Sequence, residues 1–271
     1  MASDFGDQLR QAWAAGRPTF GGWCSIPDPF AAEVLAQCGF DWACVDLQHG
    51  LAGLETAGSM LQAISLSGIP PLVRIPANEP WIVMRALDLG AAGVIVPLVS
   101  SPDEAEQAAR ACRYPPEGGR SYGAVRVSSR RRADARHANQ QVVCIPMIET
   151  LGGVEQLDEI LAVPGVDGIY VGPRDLALSH GLAPGADLDD LIGRILAACR
   201  RLGVPAGIHT GSGADARRYA DAGFAFCTIA TDRELLARGA SSELAAALGR
   251  APEARPPADP TLRANVGYLS S

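Results

Sequence analysis

The sequence predicts a (β/α)₈ barrel, and three observations support that prediction. Eight apolar runs of strand length recur between Thr19 and Ile229. Most of them are separated by amphipathic patterns, and continuous apolar strands that alternate with such helices indicate a parallel sheet covered by helices. The first run, in GGWCSIPDPF, lacks the GxGxxG turn of a doubly wound nucleotide-binding sheet, which would normally also have fewer strands. The barrel is therefore the preferred fold.

Each predicted element follows from this alternation. The strands are, in order, Thr19–Cys24, Ala43–Leu47, Leu72–Ile75, Gly93–Leu98, Val142–Ile148, Gly168–Val171, Ala206–Ile208 and Ala225–Ile229. Helical patterns occur in FAAEVLAQCG, ETAGSMLQAISLSG, PWIVMRALDLGA and DEAEQAARACR. The segment between the fourth and fifth strands is about twice as long as the others, which predicts an active-site lid or an interface arm. We expect one barrel domain over residues 1–250 and a Pro-rich tail over residues 251–271 that packs on a neighbouring subunit.

Composition and charge exclude several function classes. The chain has 271 residues, 48% of them hydrophobic, and a formal net charge of −7 at pH 7. A nucleic-acid-binding protein would present a basic surface, and we interpret the short basic segment Arg126–Arg136 as a solvated or interface segment. The most apolar run, Ala91–Val99, is too short to cross a membrane, and no secretory signal is recognised at the start of the sequence. We therefore expect neither nucleic acid nor membrane as a partner.

Two residue types narrow the chemistry further. The seven cysteines include no CxxC pair, and those within apolar runs are predicted to be buried thiols in a reducing compartment, the cytoplasm. They are Cys24, Cys44, Cys144 and Cys227. The chain contains no lysine, and all 23 basic residues are arginine. Because neither a lysine imine nor a P-loop lysine can form, carbonyl chemistry needs another electron sink, and a metal ion is the leading candidate.

Ionisable and aromatic side chains are predicted to meet at one rim of the barrel. In this fold the active site lies at the carboxyl ends of the strands. The side chains that end or follow the strands are Trp23, Asp46, His49, Arg74, Glu149, Asp175 and His209. Loop residues at strand ends are often polar, but a set of this size favours an active site, with Trp23 as a candidate substrate contact.

Glu149 and Asp175 are the candidate metal ligands. Each comes shortly after an apolar strand, in IPMIET and IYVGPRDL. Two carboxylates on neighbouring strands make a hard oxygen site that suits Mg²⁺ or Mn²⁺, with Co²⁺ as an alternative. The structural alternative is that Glu149 stabilises the start of the following helix and that Asp175 is an N-cap.

Arg74 and His49 are the candidate catalytic cations. Arg74 lies between prolines in PPLVRIP, and its guanidinium could bind a carboxylate, stabilise a developing enolate oxygen, or pair with Glu149 or Asp175. His49 is the one histidine in a dense polar cluster, and imidazole is the usual general base near neutral pH. The other histidines are interpreted as structural or peripheral: His137, His180 and His209.

A glycine–proline turn supplies backbone donors. Gly172 and Pro173 precede a predicted helix start. The N–H groups from Arg174 onward are then directed at the rim, and such a turn suits a substrate carboxylate. On this interpretation the main chain of Arg174 matters more than its side chain.

These motifs, in this order, resemble the HpcH/HpaI aldolase family of metal-dependent pyruvate aldolases. The similar stretches are FDWACVDLQHG, PLVRIP, ALDLGAAGVIVPLV, YPPEGGRSYG, IPMIETLGGVEQLDEILAVPGVDGIYVGPRDLALSHG and GIHT. The resemblance implies a (β/α)₈ barrel that assembles as a homohexamer, a trimer of domain-swapped dimers. It also implies reversible cleavage of a 4-hydroxy-2-oxo acid to pyruvate and an aldehyde through a metal-stabilised enolate.

The resemblance also implies roles for residues at matching positions. Glu149 and Asp175 would hold the divalent metal, which chelates the 2-oxo acid. His49 would be the acid/base, and Arg74 would stabilise the enolate and the aldol oxygen. The main chain at Arg174 would bind the substrate carboxylate.

The partner of the catalytic histidine stays open between two carboxylates. Asp88, in ALDLGA, matches a family aspartate that raises the basicity of the histidine, but it precedes the fourth strand and would have to act across a subunit contact. Asp46 is the alternative. Two positions depart from the family pattern: Met147 stands where glutamine is frequent, so a polar substrate contact is lost or replaced by water, and Gln48 replaces an acidic residue next to the base.

Two other functions are alternatives to the aldolase function. One is a C–C lyase of the citrate lyase β or malyl-CoA lyase type, whose acyl-CoA substrate calls for a basic groove. The other is a non-catalytic barrel that binds an oxo acid without turnover.

Overall fold

The computed structural model describes residues 5–126 and 135–250. Eight parallel strands form a closed barrel in chain order. They are β1 (Thr19–Cys24), β2 (Trp42–Asp46), β3 (Pro71–Arg74), β4 (Gly93–Val96), β5 (Val143–Ile148), β6 (Ile169–Val171), β7 (Ala206–Ile208) and β8 (Phe226–Thr231). The predicted (β/α)₈ barrel is confirmed, and each predicted strand boundary lies within two residues of the observed one.

Helices connect the strands, and several begin at a side chain that accepts a hydrogen bond from the first turn. Their bounds are α1 (Phe5–Ala14), α2 (Pro29–Ala36), α3 (Leu54–Leu66), α4 (Pro80–Asp88), α5 (Pro102–Cys112), α6 (Ala135–Gln140), α7 (Leu151–Glu155), α8 (Leu157–Leu161), α9 (Pro173–Ser179), α10 (Ala186–Leu202), α11 (Gly213–Ala222) and α12 (Asp232–Ala247). Asp28 accepts the N–H of Ala31 at 2.7 Å, and Ser101 and Thr150 act likewise for α5 and α7. Such caps satisfy donors that have no partner within the helix.

Two strand ends differ from the sequence prediction. The fourth strand was expected to reach Leu98, but β4 ends at Val96 because Pro97 has no N–H for the ladder. Leu98 then adopts a left-handed conformation, with φ 58°. β8 continues to Thr231, since the register between β1 and β8 shifts in the middle of β1.

Aromatic rings fill the barrel interior where glycines leave room for them. Trp42, Tyr170 and Phe226 are fully buried. A Cβ at Gly21 would collide with the Trp42 ring, and one at Gly207 would collide with the Phe226 ring. The cysteines predicted to be buried free thiols are all fully buried and free: Cys24, Cys44, Cys144 and Cys227.

The chain divides into two units, Met1–Asp232 and Arg233–Ser271. The first contains the barrel strands, and the described part of the second is the continuation of α12 and residues 248–250. The predicted C-terminal tail, residues 251–271, and most of the segment Arg126–Arg136 lie outside the described residues. In the described ranges, no helix is long and apolar enough to cross a membrane.

Candidate active site

Neighbouring strand ends bring the predicted catalytic side chains to one rim. In the register of β2 and β3, Asp46 lies directly opposite Arg74. The last residues of β5 and β6 also lie opposite each other, so Glu149 and Gly172, which follow them, are neighbours. The carboxyl ends of β2, β3, β5 and β6 therefore bring these residues to one rim of the barrel, as the fold predicts.

Arg74 and Asp46 form a buried two-point ion pair. Nε of Arg74 donates to Oδ1 of Asp46 at 2.8 Å, and Nη2 donates to Oδ2 at 2.6 Å. Burial alone would raise the pKa of Asp46, but the hydrogen bond and charge of Arg74, helped by Trp23 and the N–H of Gln48, hold that pKa below its usual value. The salt bridge considered between Arg74 and the metal-ligand candidates is thus made to Asp46 instead. Two parallel charge-assisted bonds fix the plane of the guanidinium at the rim.

Trp23 supports Arg74 from below. The guanidinium lies over the indole, with its central carbon 5.0 Å from the ring centroid. The indole stacks on Tyr170 at 5.8 Å between centroids and meets His209 edge-on at 4.8 Å. Because Trp23 is only 1% exposed, the structure shows it as a support of Arg74, and its direct contact with substrate stays a prediction.

Glu149 is buried with one carboxylate oxygen satisfied and the other not. The N–H of Leu98 donates to Oε1 at 2.9 Å. Among the described residues, Oε2 has no hydrogen-bond partner. Burial raises the pKa of Glu149 to about 7, the charge of Asp175 raises it too, and the Leu98 N–H and Arg74 oppose this shift. A buried carboxylate oxygen without a partner is costly, so it marks a place where a further positive group belongs.

Asp175 and the glycine–proline turn lie beside Glu149. Asp175 is exposed in the first turn of α9, three residues after Gly172, and its negative charge raises the pKa of Glu149. Gly172 is the N-cap of α9, and a Cβ there would collide with Oε2 of Glu149. Pro173 and Arg174 open the helix, whose first N–H groups have no acceptor within it. Glycine at position 172 therefore keeps space next to the unsatisfied oxygen.

This donor set fits a divalent cation. Two carboxylates offer hard oxygen ligands, and one of their oxygens is buried with no partner from residues 5–126 or 135–250. In the part of the chain that the structure describes, no group of three or more His, Cys, Asp or Glu side chains surrounds a common point. A cation held by two carboxylates would keep open positions, as a catalytic site requires.

His49 reaches the rim, whereas Asp88 does not reach it within one chain. His49 is exposed after β2, and its main-chain N–H donates to Oδ1 of Asp46 at 3.3 Å. Asp88 ends α4, on the approach to the amino end of β4, and pairs with Arg120 at 2.8 Å. It stays a prediction that Asp88 of one subunit is the partner of His49 in another subunit. Asp46 contacts the backbone of His49 while its carboxylate binds Arg74.

The structure adds information on two residues, Met147 and Leu98, that the sequence interpretation does not contain. Met147 is 1% exposed and belongs to the core cluster, and its terminal methyl lies beside the Cα of Gly172. Leu98, whose N–H binds Glu149, is predicted from the sequence only to end a strand. The proline before it was the available signal that the strand stops and the backbone turns toward the site.

Comparison with known proteins identifies the family. Residues 20–239 match the family described as HpcH/HpaI aldolase/citrate lyase. The hydroxypyruvate/pyruvate aldolase of Roseovarius nubinhibens is 39% identical over 244 residues, which cover 88% of this chain and 95% of that protein. The 2-dehydro-3,6-dideoxy-6-sulfogluconate aldolase of Pseudomonas putida is 38% identical, with 86% of this chain and 94% of that protein covered.

A solved structure agrees with this result. The crystal structure of a HpcH/HpaI aldolase/citrate lyase family protein from Burkholderia cenocepacia J2315 is similar with a TM-score of 0.83 and 37% identity, covering 90% of this chain and 98% of that one. Both of the relatives named above are aldolases. The chain therefore belongs to the HpcH/HpaI aldolase/citrate lyase family and is a carbon–carbon lyase.

Proposed function

We propose that the protein is a divalent-metal-dependent aldolase that reversibly cleaves a 4-hydroxy-2-oxo acid to pyruvate and an aldehyde. The observation that carries the proposal is the buried Oε2 of Glu149, which has no hydrogen-bond partner in the described part of the chain and feels the charge of Asp175. The names of the two relatives, one a hydroxypyruvate/pyruvate aldolase, support a 2-oxo acid substrate. The lack of lysine supports it too, because an imine mechanism is closed to this chain.

Glu149 and Asp175 would hold the cation, with Mg²⁺ and Mn²⁺ favoured over Co²⁺ for an oxygen donor set. When bound, it supplies Lewis-acid stabilisation of negative charge on the 2-oxo group of the substrate. The main-chain N–H groups at Arg174, on the turn through Gly172 and Pro173, would bind the substrate carboxylate.

The remaining roles belong to side chains of the rim. In the cleavage direction, His49 accepts the proton of the 4-hydroxyl group, the C3–C4 bond breaks, and its electron pair becomes the enolate of pyruvate as the aldehyde leaves. A proton returned to C3 then gives pyruvate. Arg74 stabilises negative charge on the reacting oxygens, and Asp46 and Trp23 keep its guanidinium in place.

The assembly and cellular setting complete the proposal. We propose a homohexamer, a trimer of dimers, in which Asp88 of one subunit serves His49 of another and the tail of residues 251–271 packs on a neighbour. The partial exposure of Asp88, 27% of its side chain, supports such a contact. A cytoplasmic setting is supported by seven free cysteines, six of them buried.

Deuterium exchange into the pyruvate methyl group, followed by NMR, tests the enolate chemistry without an aldehyde. We expect exchange with Mg²⁺ or Mn²⁺ that stops with a chelator and in His49→Ala. Exchange that continues without metal would contradict the proposal.

A second assay identifies the substrate class. The aldolase releases pyruvate from a 4-hydroxy-2-oxo acid in the presence of Mn²⁺. Release of acetyl-CoA from a thioester would instead identify a lyase of the citrate lyase β type, and pyruvate binding without exchange or cleavage would identify a non-catalytic barrel.

A further inference from the structure

Leu98 combines an unfavourable backbone conformation with an exposed apolar side chain. In the described ranges it is the one residue other than glycine with a positive φ, 58°. The residue is 53% exposed. Glycine would adopt this conformation without steric cost, and a half-exposed leucine adds little to the core. Neither the local backbone nor core packing therefore accounts for leucine here.

The backbone of Leu98 places its side chain beside the candidate metal ligands. Its N–H donates to Oε1 of Glu149 at 2.9 Å. Since N and Cβ of one residue are about 2.5 Å apart, the Cβ of Leu98 lies within about 5.4 Å of that oxygen. The exposed side chain therefore starts at the mouth of the site.

Contacts with the segment after Glu149 hold this turn in place. Oγ of Ser100 lies 2.7 Å from Oγ1 of Thr150, and Gln156 donates to the carbonyl of Ser100 at 3.2 Å. The carbonyl of Val99 packs so closely on Gly153 that no Cβ would fit there. A costly conformation persists where the surroundings determine it, and such positions are typical of functional sites.

We propose that Leu98 determines aldehyde specificity: its side chain contacts the carbon chain of the aldehyde and favours alkyl aldehydes over hydroxylated ones. The inference rests on the proposed aldolase function. An apolar side chain lowers the free energy of an alkyl group that leaves water, whereas a hydroxyl group in the same place loses hydrogen bonds to water.

The test compares Leu98→Ala and Leu98→Met, which both keep the main-chain donor to Glu149. Condensation of pyruvate with propanal and with glycolaldehyde is measured with Mn²⁺. We expect Leu98→Ala to raise KM for propanal about five- to tenfold and KM for glycolaldehyde less than about twofold, and Leu98→Met to stay close to the parent. Deuterium exchange into pyruvate, which involves no aldehyde, is measured alongside in all three proteins, so that any change at the metal site is seen separately from a change in aldehyde binding.

The matched control is Leu66→Ala, an exposed leucine at the end of α3, remote from the rim. It should leave both KM values unchanged. Equal shifts for the two aldehydes, no shift, or a changed oligomeric mass of Leu98→Ala in light scattering would overturn the specificity role. A parent protein without metal-dependent exchange would instead overturn the proposed function itself.

Discussion

Two carboxylates near β5 and β6, the partly buried Asp167 and the buried Glu149, have opposite environments. Asp167, before β6, accepts from Nε and Nη2 of Arg10 at 3.0 and 2.8 Å. It also accepts from Nη2 of Arg113 and from the N–H of Cys144, both at 2.7 Å. Glu149, after β5, receives one N–H from Leu98, and its second oxygen has no partner among the described residues.

The difference in hydrogen bonding between these two carboxylates distinguishes the two ends of the barrel. At the amino end, two arginines and a backbone donor satisfy the carboxylate of Asp167. At the carboxyl end, Glu149 carries an unsatisfied oxygen that a substrate-binding cation could satisfy. We interpret the fully hydrogen-bonded Asp167 as a structural carboxylate and Glu149 as the proposed metal ligand, in line with the known roles of the two barrel faces.

The largest effect is expected on the turnover of Glu149→Gln, which removes the negative charge at the carboxyl end of the barrel. The amide keeps the size of the side chain but removes a charged ligand, so we expect kcat to fall about a thousandfold or more. Pyruvate release from a 4-hydroxy-2-oxo acid measures it. Turnover within tenfold of the parent would show that Glu149 is not a ligand.

The next effect is on stability in Asp167→Asn. This change leaves two buried or partly buried guanidinium groups without their anion, so the free energy of unfolding should fall by about 3 kcal/mol. Urea denaturation measures the loss. The folded variant should bind Mn²⁺ as the parent does, and a joint loss of stability and metal affinity would mean that the two ends of the barrel are not independent.

In metal-free protein, the pH dependence of stability tests the environment of Glu149. Burial raises the pKa of Glu149 from 4.5 to about 7. The stabilising contribution of the protonated form is then complete below about pH 4.5 and is lost as pH rises through 7. We expect parent and Glu149→Gln to be equally stable near pH 5 and the variant to be more stable at pH 8, by up to about 3 kcal/mol.

Saturating Mn²⁺ should reverse that order at pH 8, because only the parent gains from binding. Thermal unfolding with and without a chelator measures both states. A parent that is the more stable protein at pH 8 without metal would contradict the unsatisfied state of Glu149.

The smallest effect is expected at Leu98→Gly. Glycine relieves the left-handed leucine but loses more backbone entropy, so a net gain of about 0.5–1 kcal/mol in the free energy of unfolding is expected. Urea denaturation again measures it. A clear loss of stability would show that the exposed side chain packs on something essential to the fold.

Sequence patterns predicted the barrel and most of the rim, but not the contacts that distinguish its carboxylates. Alternating apolar runs specify strands, and strand ends specify the face on which Arg74 and Glu149 meet. The pairing of Arg74 with Asp46 depends on the register of β2 and β3. The bond from Leu98 to Glu149 joins residues 51 positions apart, and it depends on a turn that other loops hold in place. Such long-range geometry leaves no local periodicity in one sequence.

Titration of the protein with Mn²⁺, followed by calorimetry or electron paramagnetic resonance, tests the central claim most directly. The parent and the surface variant Asp158→Asn should each bind one ion per chain. Glu149→Gln and Asp175→Asn should bind it at least about a hundredfold more weakly. Binding by Glu149→Gln with the affinity of the parent would contradict the account, because the unsatisfied oxygen would then not be the place of the metal.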